Sequence, residues 1–362
     1  MRSAAALALC LGLLATACAS SGAAPGSPPT PDAPAPEPRP APPVSPSAPA
    51  AGVALGGLPG WAQEDHAAAL GAYAAGCRPV TDVCAEARAL IAAGADGPRA
   101  RDFLESRFVA VEAVTVDGGP GRLTAYFAPE YAGRRLPDAE FSAPVLPAPQ
   151  GWRRGDVGPA RADIESLPAP QALAWMRAED LFFMQIQGSG YLTFEDGTRA
   201  RAAYAADNGR TFVGIAGPMA ERGLLPRDGT SGEAIRAWLA ARRGPEAAGV
   251  MALNPRYIYF RLDADDGGHP AGAAGVPLTP RRSIAVDPAH WTYGEAVWIE
   301  ADAGNLVGAR SGYSGLVMAL DTGSAIRGPV RADFYMGRGA AAGDEAGTVR
   351  HPLRMWRLVA RP

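Results

Sequence analysis

The chain has 362 residues, a formal charge of −3 and 34 basic side chains, every one of them an arginine. A slightly acidic balance with no basic patch interleaved with aromatics excludes a nucleic-acid partner, and the lack of lysine excludes a Walker-type phosphate loop and Schiff-base chemistry. The four histidines, His66, His269, His290 and His351, have no ligand spacing, so neither a metal centre nor a cofactor is expected.

Arg2 followed by the apolar stretch Ala4 to Ala17, shorter than the roughly 20 residues that span a bilayer, reads as an export signal over residues 1–18. Its end, Ala15-Thr16-Ala17-Cys18, is similar to a bacterial lipobox with alanine at the first position. Lipid on Cys18 would tether the mature chain, and the lack of aspartate after it points to the periplasmic side of the outer membrane; ordinary cleavage would instead free a soluble periplasmic protein. Residues 19–57 are almost wholly alanine, proline, serine and glycine and read as a disordered linker reaching on the order of 100 Å. The remaining length of roughly 300 residues suggests two domains.

Apolar spacing of three and four predicts helices at Trp61–Gly76, Asp82–Ala93 and Pro98–Phe108. Between the first two stand Cys77 and Cys84. In an oxidising compartment they are disulfide candidates, brought together by a break at Pro79, although two free buried thiols fit equally well. Strands follow at Val114–Val116 and Arg122–Phe127, then a helix at Pro170–Arg177 and an apolar strand, Leu181–Ile186, that runs into Gln187-Gly188-Ser189-Gly190-Tyr191. A hairpin turn at Glu195–Thr198, helices at Val213–Arg222 and Gly232–Arg242 and a strand at Tyr257–Leu262 come next. Asp263-Ala264-Asp265-Asp266-Gly267 is similar to a calcium loop but lacks the closing glutamate, and reads as a polar turn. After a Gly/Ala-rich break at Gly267–Gly275, short strands continue to the C-terminus. The class is α+β, mostly β.

Two carboxylates stand beside apolar stretches in this last region: Asp321 after Val317–Leu320, and Asp333 before Phe334–Met336. Aspartates so placed are hydrogen-bonded, paired or functionally tuned, unless they are simply solvated at strand ends.

Six segments in register extend the pattern: Leu123-Thr124-Ala125-Tyr126-Phe127-Ala128-Pro129-Glu130, Gln187-Gly188-Ser189-Gly190, Tyr204-Ala205-Ala206-Asp207-Asn208-Gly209, Asn254 to Phe260, Gly275 to Thr279, and Arg282 to Asp287. From about Trp61 to the C-terminus the chain resembles the family of membrane-bound lytic murein transglycosylase A (MltA). Ala125 and Phe127 replace a usual glycine and tyrosine, and Ala296 a usual proline. The resemblance implies N-terminal helices and a double-psi β-barrel built from residues 58–127 and 273–362, with a β-rich domain, 128–272, inserted and a substrate groove between the two. It implies cleavage of the β-1,4 bond between N-acetylmuramic acid and N-acetylglucosamine in peptidoglycan strands, closing a 1,6-anhydro ring. Asp333 would be the catalytic acid and Asp321 its support, with Thr124, Gln187 and Ser189 lining the groove; Tyr126 fits either a core or a sugar-stacking role.

For such chemistry Asp333 has to hold a proton against a reference pKa of about 3.9, an anion penalty of roughly 3–4 kcal/mol. Burial beside Phe334 and Tyr335 and repulsion from an ionised Asp321 are the available causes. The other readings are a peptidoglycan-binding lipoprotein without catalysis, a hydrolytic muramidase, and an aspartic protease suggested by Asp321-Thr322-Gly323, for which no second such triplet exists.

Overall fold

The computed structural model describes residues 52–115, 117–226 and 231–361. The signal, Cys18 and nearly all of the expected linker lie outside them. Structure starts within the last few linker residues: β1 (Val53–Ala54) pairs antiparallel with β2 (Phe108–Ala113), and Leu55 is buried at 1 % exposure. Leu55 is a large apolar side chain in an otherwise small-residue stretch, and the core offers it a place.

Three helices follow: α1 (His66–Gly76), α2 (Asp82–Ala92) and α3 (Gly97–Arg107). Asp65, Thr81 and Asp96 cap them by accepting the backbone N–H groups of Ala68, Cys84 and Arg99. Asp65 therefore sets the start of α1, and the expected earlier start at Trp61 gives only a short 3-10 turn. Cys77 and Cys84 are disulfide-bonded, with Cα atoms 6.0 Å apart. A continuous helix would hold residues seven apart about 10 Å from each other, but α1 stops at Gly76 and the chain doubles back. Replacing both cysteines by alanine is expected to cost about 2–3 kcal/mol, the loop-closure entropy of so short a link; urea unfolding of wild type and variant measures it.

The expected strand at Val114–Val116 is displaced to β2, which begins where the helix was expected to end; Val114 is 72 % exposed and Val116 lies outside the described residues. β3 (Gly121–Ala128) leads into β4 (Glu130–Ala132), β5 (Ala143–Val145), α4 (Arg161–Glu165), β6 (Ala174–Met176) and α5 (Ala178–Gln187). Two expectations fail here. Residues 170–177 hold the strand β6, paired with β5, and the expected strand Leu181–Ile186 is the body of α5. A six-residue run with five apolar residues fits either state; Glu179 and Asp180 in the first turn and Gly188 at φ 81° past the last one are the helix signals that decide it.

β7 (Gly190–Thr193), β8 (Arg199–Asp207), α6 (Ala216–Glu221), α7 (Gly232–Ala241), α8 (Pro245–Met251) and β9 (Ile258–Ala264) complete this region, in which the sheet runs β4-β7-β8-β9. Two of the resemblance motifs act as structural pins. Fully buried Asn208 donates from Nδ2 to the Pro159 and Pro255 carbonyls and accepts from the Tyr257 N–H; Asn254 accepts from the Val213 and Arg256 N–H groups.

The C-terminal strands are β10 (Ser283–Ala285), β11 (Ala296–Asp302), β12 (Gly312–Asp321), β13 (Arg331–Arg338) and, after α9 (Gly339–Ala346), β14 (Arg350–Ala360). Together with β3 they close a six-strand barrel, β14-β11-β12-β10-β13-β3, because β3 pairs with both β13 and β14. Strand alternation sends Leu123, Ile284, Val317, Ala332, Phe334 and Leu353 inward to one apolar cluster. The opposite face carries Leu316, Met318, Trp298 and Trp356, which pack against Leu70 and Leu104 of the helices.

Candidate active site

Register places the carboxylates. Ala285 on β10 is the partner of Asp321 on β12 and of Asp333 on β13, while Asp333 is the partner of Thr124 on β3. Paired residues point to the same face, so Asp321, Ala285, Asp333 and Thr124 form a row on the outer wall of the barrel. Two inter-strand steps separate the aspartates, with Cα atoms about 10 Å apart; alanine in between leaves room beside each carboxyl.

A register shift between Ile284 and Ala285 brings this about. Ile284 pairs with Ala319 and Ala285 with Asp321, so Leu320 is the extra residue of a bulge. Simple alternation would turn Asp321 inward. The bulge keeps both Leu320 and Asp321 outward, and Leu320 joins the outer cluster.

The two carboxyls have different surroundings. Asp321 accepts from the Tyr126 hydroxyl at 2.8 Å, the Ala273 N–H at 3.0 Å and the Thr322 N–H at 2.9 Å. Among the described residues Asp333 accepts from the Thr124 hydroxyl alone, through Oδ1, and Thr124 Oγ1 in turn accepts from Arg331 at 2.9 Å. Burial raises the pKa of both above the usual carboxylate range; the three donors oppose this at Asp321, and Thr124 and the Arg331 charge oppose it at Asp333. The negative charge of Asp333 adds to the rise at Asp321, but the reverse repulsion expected from sequence is not among the main causes at Asp333. Both aspartates keep some solvent-accessible surface while protein surrounds them, the condition of groups at the foot of a cleft. Three hydrogen-bond donors favour the anion of Asp321, whereas one donor and the Arg331 charge favour that of Asp333.

Thr124 and Tyr126 therefore hold the carboxyls. The Tyr126 ring also lies 5.3 Å from that of Tyr335, whose hydroxyl is 2.9 Å from His269 Nδ1. Gln187, at the end of α5, accepts the Phe127 N–H through Oε1 at 3.2 Å, and its amide NH2 makes no hydrogen bond among the described residues. Ser189, half-buried in the following turn, makes no side-chain hydrogen bond among the described residues. Ala125 and Phe127, which replace the family's usual glycine and tyrosine, point the other way and pack against the barrel interior, because they alternate with Thr124 and Tyr126.

Sequence reasoning passed over Arg331, Ala285 and Arg338. Arg331 was legible in Arg331-Ala332-Asp333, since residues two apart share a strand face. Arg338, at the end of β13, clasps the barrel to the β4–β9 sheet. It pairs with Asp265 at 2.9 Å and Glu130 at 3.0 Å, donates to the Gly268 carbonyl and lies over the Tyr191 ring at 3.4 Å. The Asp263–Gly267 turn thus spends two of its three carboxylates on arginines, Asp263 on Arg201 and Asp265 on Arg199 and Arg338, while Asp266 accepts the Gly268 N–H.

A carboxyl whose pKa burial raises, with a second carboxyl in the same row of the barrel wall, is the equipment of an acid–base enzyme. Two family models match the chain, the MltA specific insert domain over residues 122–261 and the 3D domain over residues 282–359. A membrane-bound lytic murein transglycosylase A of Vibrio cholerae is 33 % identical over 259 residues, 68 % of this chain and 69 % of that one. Among solved structures, a membrane-bound lytic murein transglycosylase from Agrobacterium tumefaciens superposes with a TM-score of 0.70 at 30 % identity, covering 86 % of this chain and 97 % of that one. Escherichia coli MltA with bound chitohexaose gives 0.66 at 29 % identity over 78 % and 84 %. The chain belongs to the membrane-bound lytic murein transglycosylase A family and is a peptidoglycan lytic transglycosylase.

Proposed function

We propose that Asp333 is the single acid–base group of this enzyme and that Asp321 supports it. Protonated Asp333 donates to the oxygen of the β-1,4 bond between N-acetylmuramic acid and N-acetylglucosamine, and the bond to the muramyl anomeric carbon breaks. The resulting carboxylate accepts the proton of the muramyl 6-hydroxyl as that oxygen attacks the same carbon, closing the 1,6-anhydro ring. One group serves both steps by microscopic reversibility, and water is not consumed because the nucleophile belongs to the substrate. Asp321, supplied with three donors, carries negative charge facing the developing oxocarbenium ion. The observation that carries this assignment is the unequal hydrogen bonding of the two carboxyls.

The Gln187 amide and the Ser189 hydroxyl take sugar hydroxyl or acetamido groups, and the chitohexaose bound to Escherichia coli MltA supports a glycan strand as the ligand. The barrel is of the double-psi type, formed by residues 58–127 and 273–362 with 128–272 inserted. The parallel pairs β3–β13 and β10–β12 in an otherwise antiparallel ring support that reading. The mature chain is anchored by lipid on Cys18 at the periplasmic side of the outer membrane; the relatives are named membrane-bound, and no helix among the described residues is long and apolar enough to cross a membrane.

Incubation of the purified mature protein with murein sacculi, followed by mass spectrometry of the soluble products, tests the reaction. Muropeptides one water lighter than their reducing-end counterparts are the expected result. Reducing ends would make the enzyme a hydrolase, and no product would leave a binding protein.

A further inference from the structure

Most arginines of this lysine-free chain are spent on carboxylates, but three around the site are not. Arg122 and Arg331 are register partners across β3 and β13, and Arg350 on β14 is the partner of Thr124. Pairing puts all three on the outer face that carries Asp333 and Thr124. None has an aspartate or glutamate within ion-pair distance among the described residues. Arg331 is half-buried and donates only to Thr124 Oγ1 and to the carbonyls of Ala332 and Arg122; Arg122 and Arg350 are exposed. Burial lowers the Arg331 pKa, the Asp333 charge opposes this, and the like charge of Arg122 one strand spacing away adds to the lowering. An arrangement that costs stability on its own is relieved by an anion.

We propose that Arg122, Arg331 and Arg350 form a carboxylate-binding subsite that selects muramic acid carrying an anionic substituent next to the bond being cleaved. The inference rests on the lytic transglycosylase reading above and adds a specificity element to it. The Arg331 guanidinium reaches the Thr124 hydroxyl that donates to Asp333, and Arg122 and Arg350 carry the positive charge outward from it at a few ångströms per strand. A muramic acid's lactyl carboxyl likewise lies a few ångströms from its own anomeric carbon. A planar guanidinium pairs with a carboxylate through two parallel hydrogen bonds. The carboxylate is either the free lactyl group of a peptide-free strand or a carboxylate of the stem peptide.

The test compares wild type with Arg350→Gln and with Arg122→Gln/Arg350→Gln, exposed positions outside the hydrogen bonds to Asp333. Three substrates are used: peptide-free glycan strands, the same strands with the lactyl carboxyl converted to a neutral methylamide, and strands bearing stem peptides. The single change is expected to lower kcat/KM about five- to tenfold on a carboxylate-bearing strand, as loss of one charge-assisted contact does, and to leave the methylamide strand unaffected. Loss confined to peptide-free strands identifies the lactyl carboxylate, and loss confined to peptide-bearing strands identifies the stem peptide. Equal kcat/KM for all proteins on charged strands, or an equal loss on the neutral strand, overturns the subsite. Absence of anhydro product from wild type on every strand would instead overturn the reaction on which it rests.

Discussion

Asp333→Asn is expected to lower anhydromuropeptide release roughly a hundred- to ten-thousand-fold, the contribution typical of a positioned acid–base group, while raising the unfolding temperature at neutral pH. The two effects have one cause. Burial raises the carboxyl's pKa in the folded protein, so the folded chain binds more protons than the unfolded chain over the interval between the two pKa values. Stability from this group is then fully present below the unfolded value and is lost as pH rises through the raised folded value. Asparagine carries no charge to desolvate and still accepts the Thr124 hydroxyl through its amide oxygen. The stability gain of the variant should accordingly grow from acid to neutral pH, and thermal unfolding at a series of pH values measures it. In wild type, turnover falls on the same rise in pH, because only the protonated acid can donate to the glycosidic oxygen. An unfolding temperature lowered by Asp333→Asn would mean that the carboxylate is a structural anchor rather than a strained catalytic group.

Glu64→Ala is expected to destabilise the fold by about 3–5 kcal/mol, the range for removing one partner of a buried ion pair. The Glu64 side chain is 4 % exposed and that of Arg282 17 %. Arg282 donates to both Glu64 oxygens, at 3.0 and 2.8 Å, and to the Leu316 carbonyl at 3.0 Å, while the Leu316 N–H donates to Glu64 at 2.7 Å. The pair locks the segment before α1 onto β12, one residue upstream of β10. Without Glu64 the guanidinium is left partly buried and unpaired, and the Leu316 N–H loses its acceptor. Glu64→Ala/Arg282→Met, with neither charge present, is expected to recover much of the loss. The double-mutant cycle from urea unfolding gives the coupling.

Both arguments turn on how short-range signals combine at long range. The helices α1 to α3 were legible because their apolar spacing and capping residues act within a turn or two. α5 was misread because Leu181–Ile186 is apolar but for Gln185, and one polar residue in six does not reveal a period; its decisive signals were the acidic first turn and Gly188. β6 was hidden in a stretch of alanines whose pairing partner, β5, lies some thirty residues upstream.

The site was legible in part. The sequence singled out Asp321 and Asp333, and the resemblance added Thr124, Gln187 and Ser189. It did not reveal that Thr124 and Tyr126 hold carboxyls, or that Ala125 and Phe127 face the barrel interior. Alternation along β3 contained that last fact once β3 was known to be a barrel wall.

The sequence by itself determined the residue types at the site and the family to which they belong, since motifs in register are a property of the chain. Only the tertiary structure decided how the two aspartates stand to each other. Twelve residues of spacing permit any separation. Pairing of β12 and β13 to opposite edges of β10 sets them about 10 Å apart, and the bulge at Leu320 turns Asp321 to the face that Asp333 occupies. Hydrogen-bond register between strands distant in the chain is a collective outcome of closing the barrel, and no local stretch of sequence encodes it.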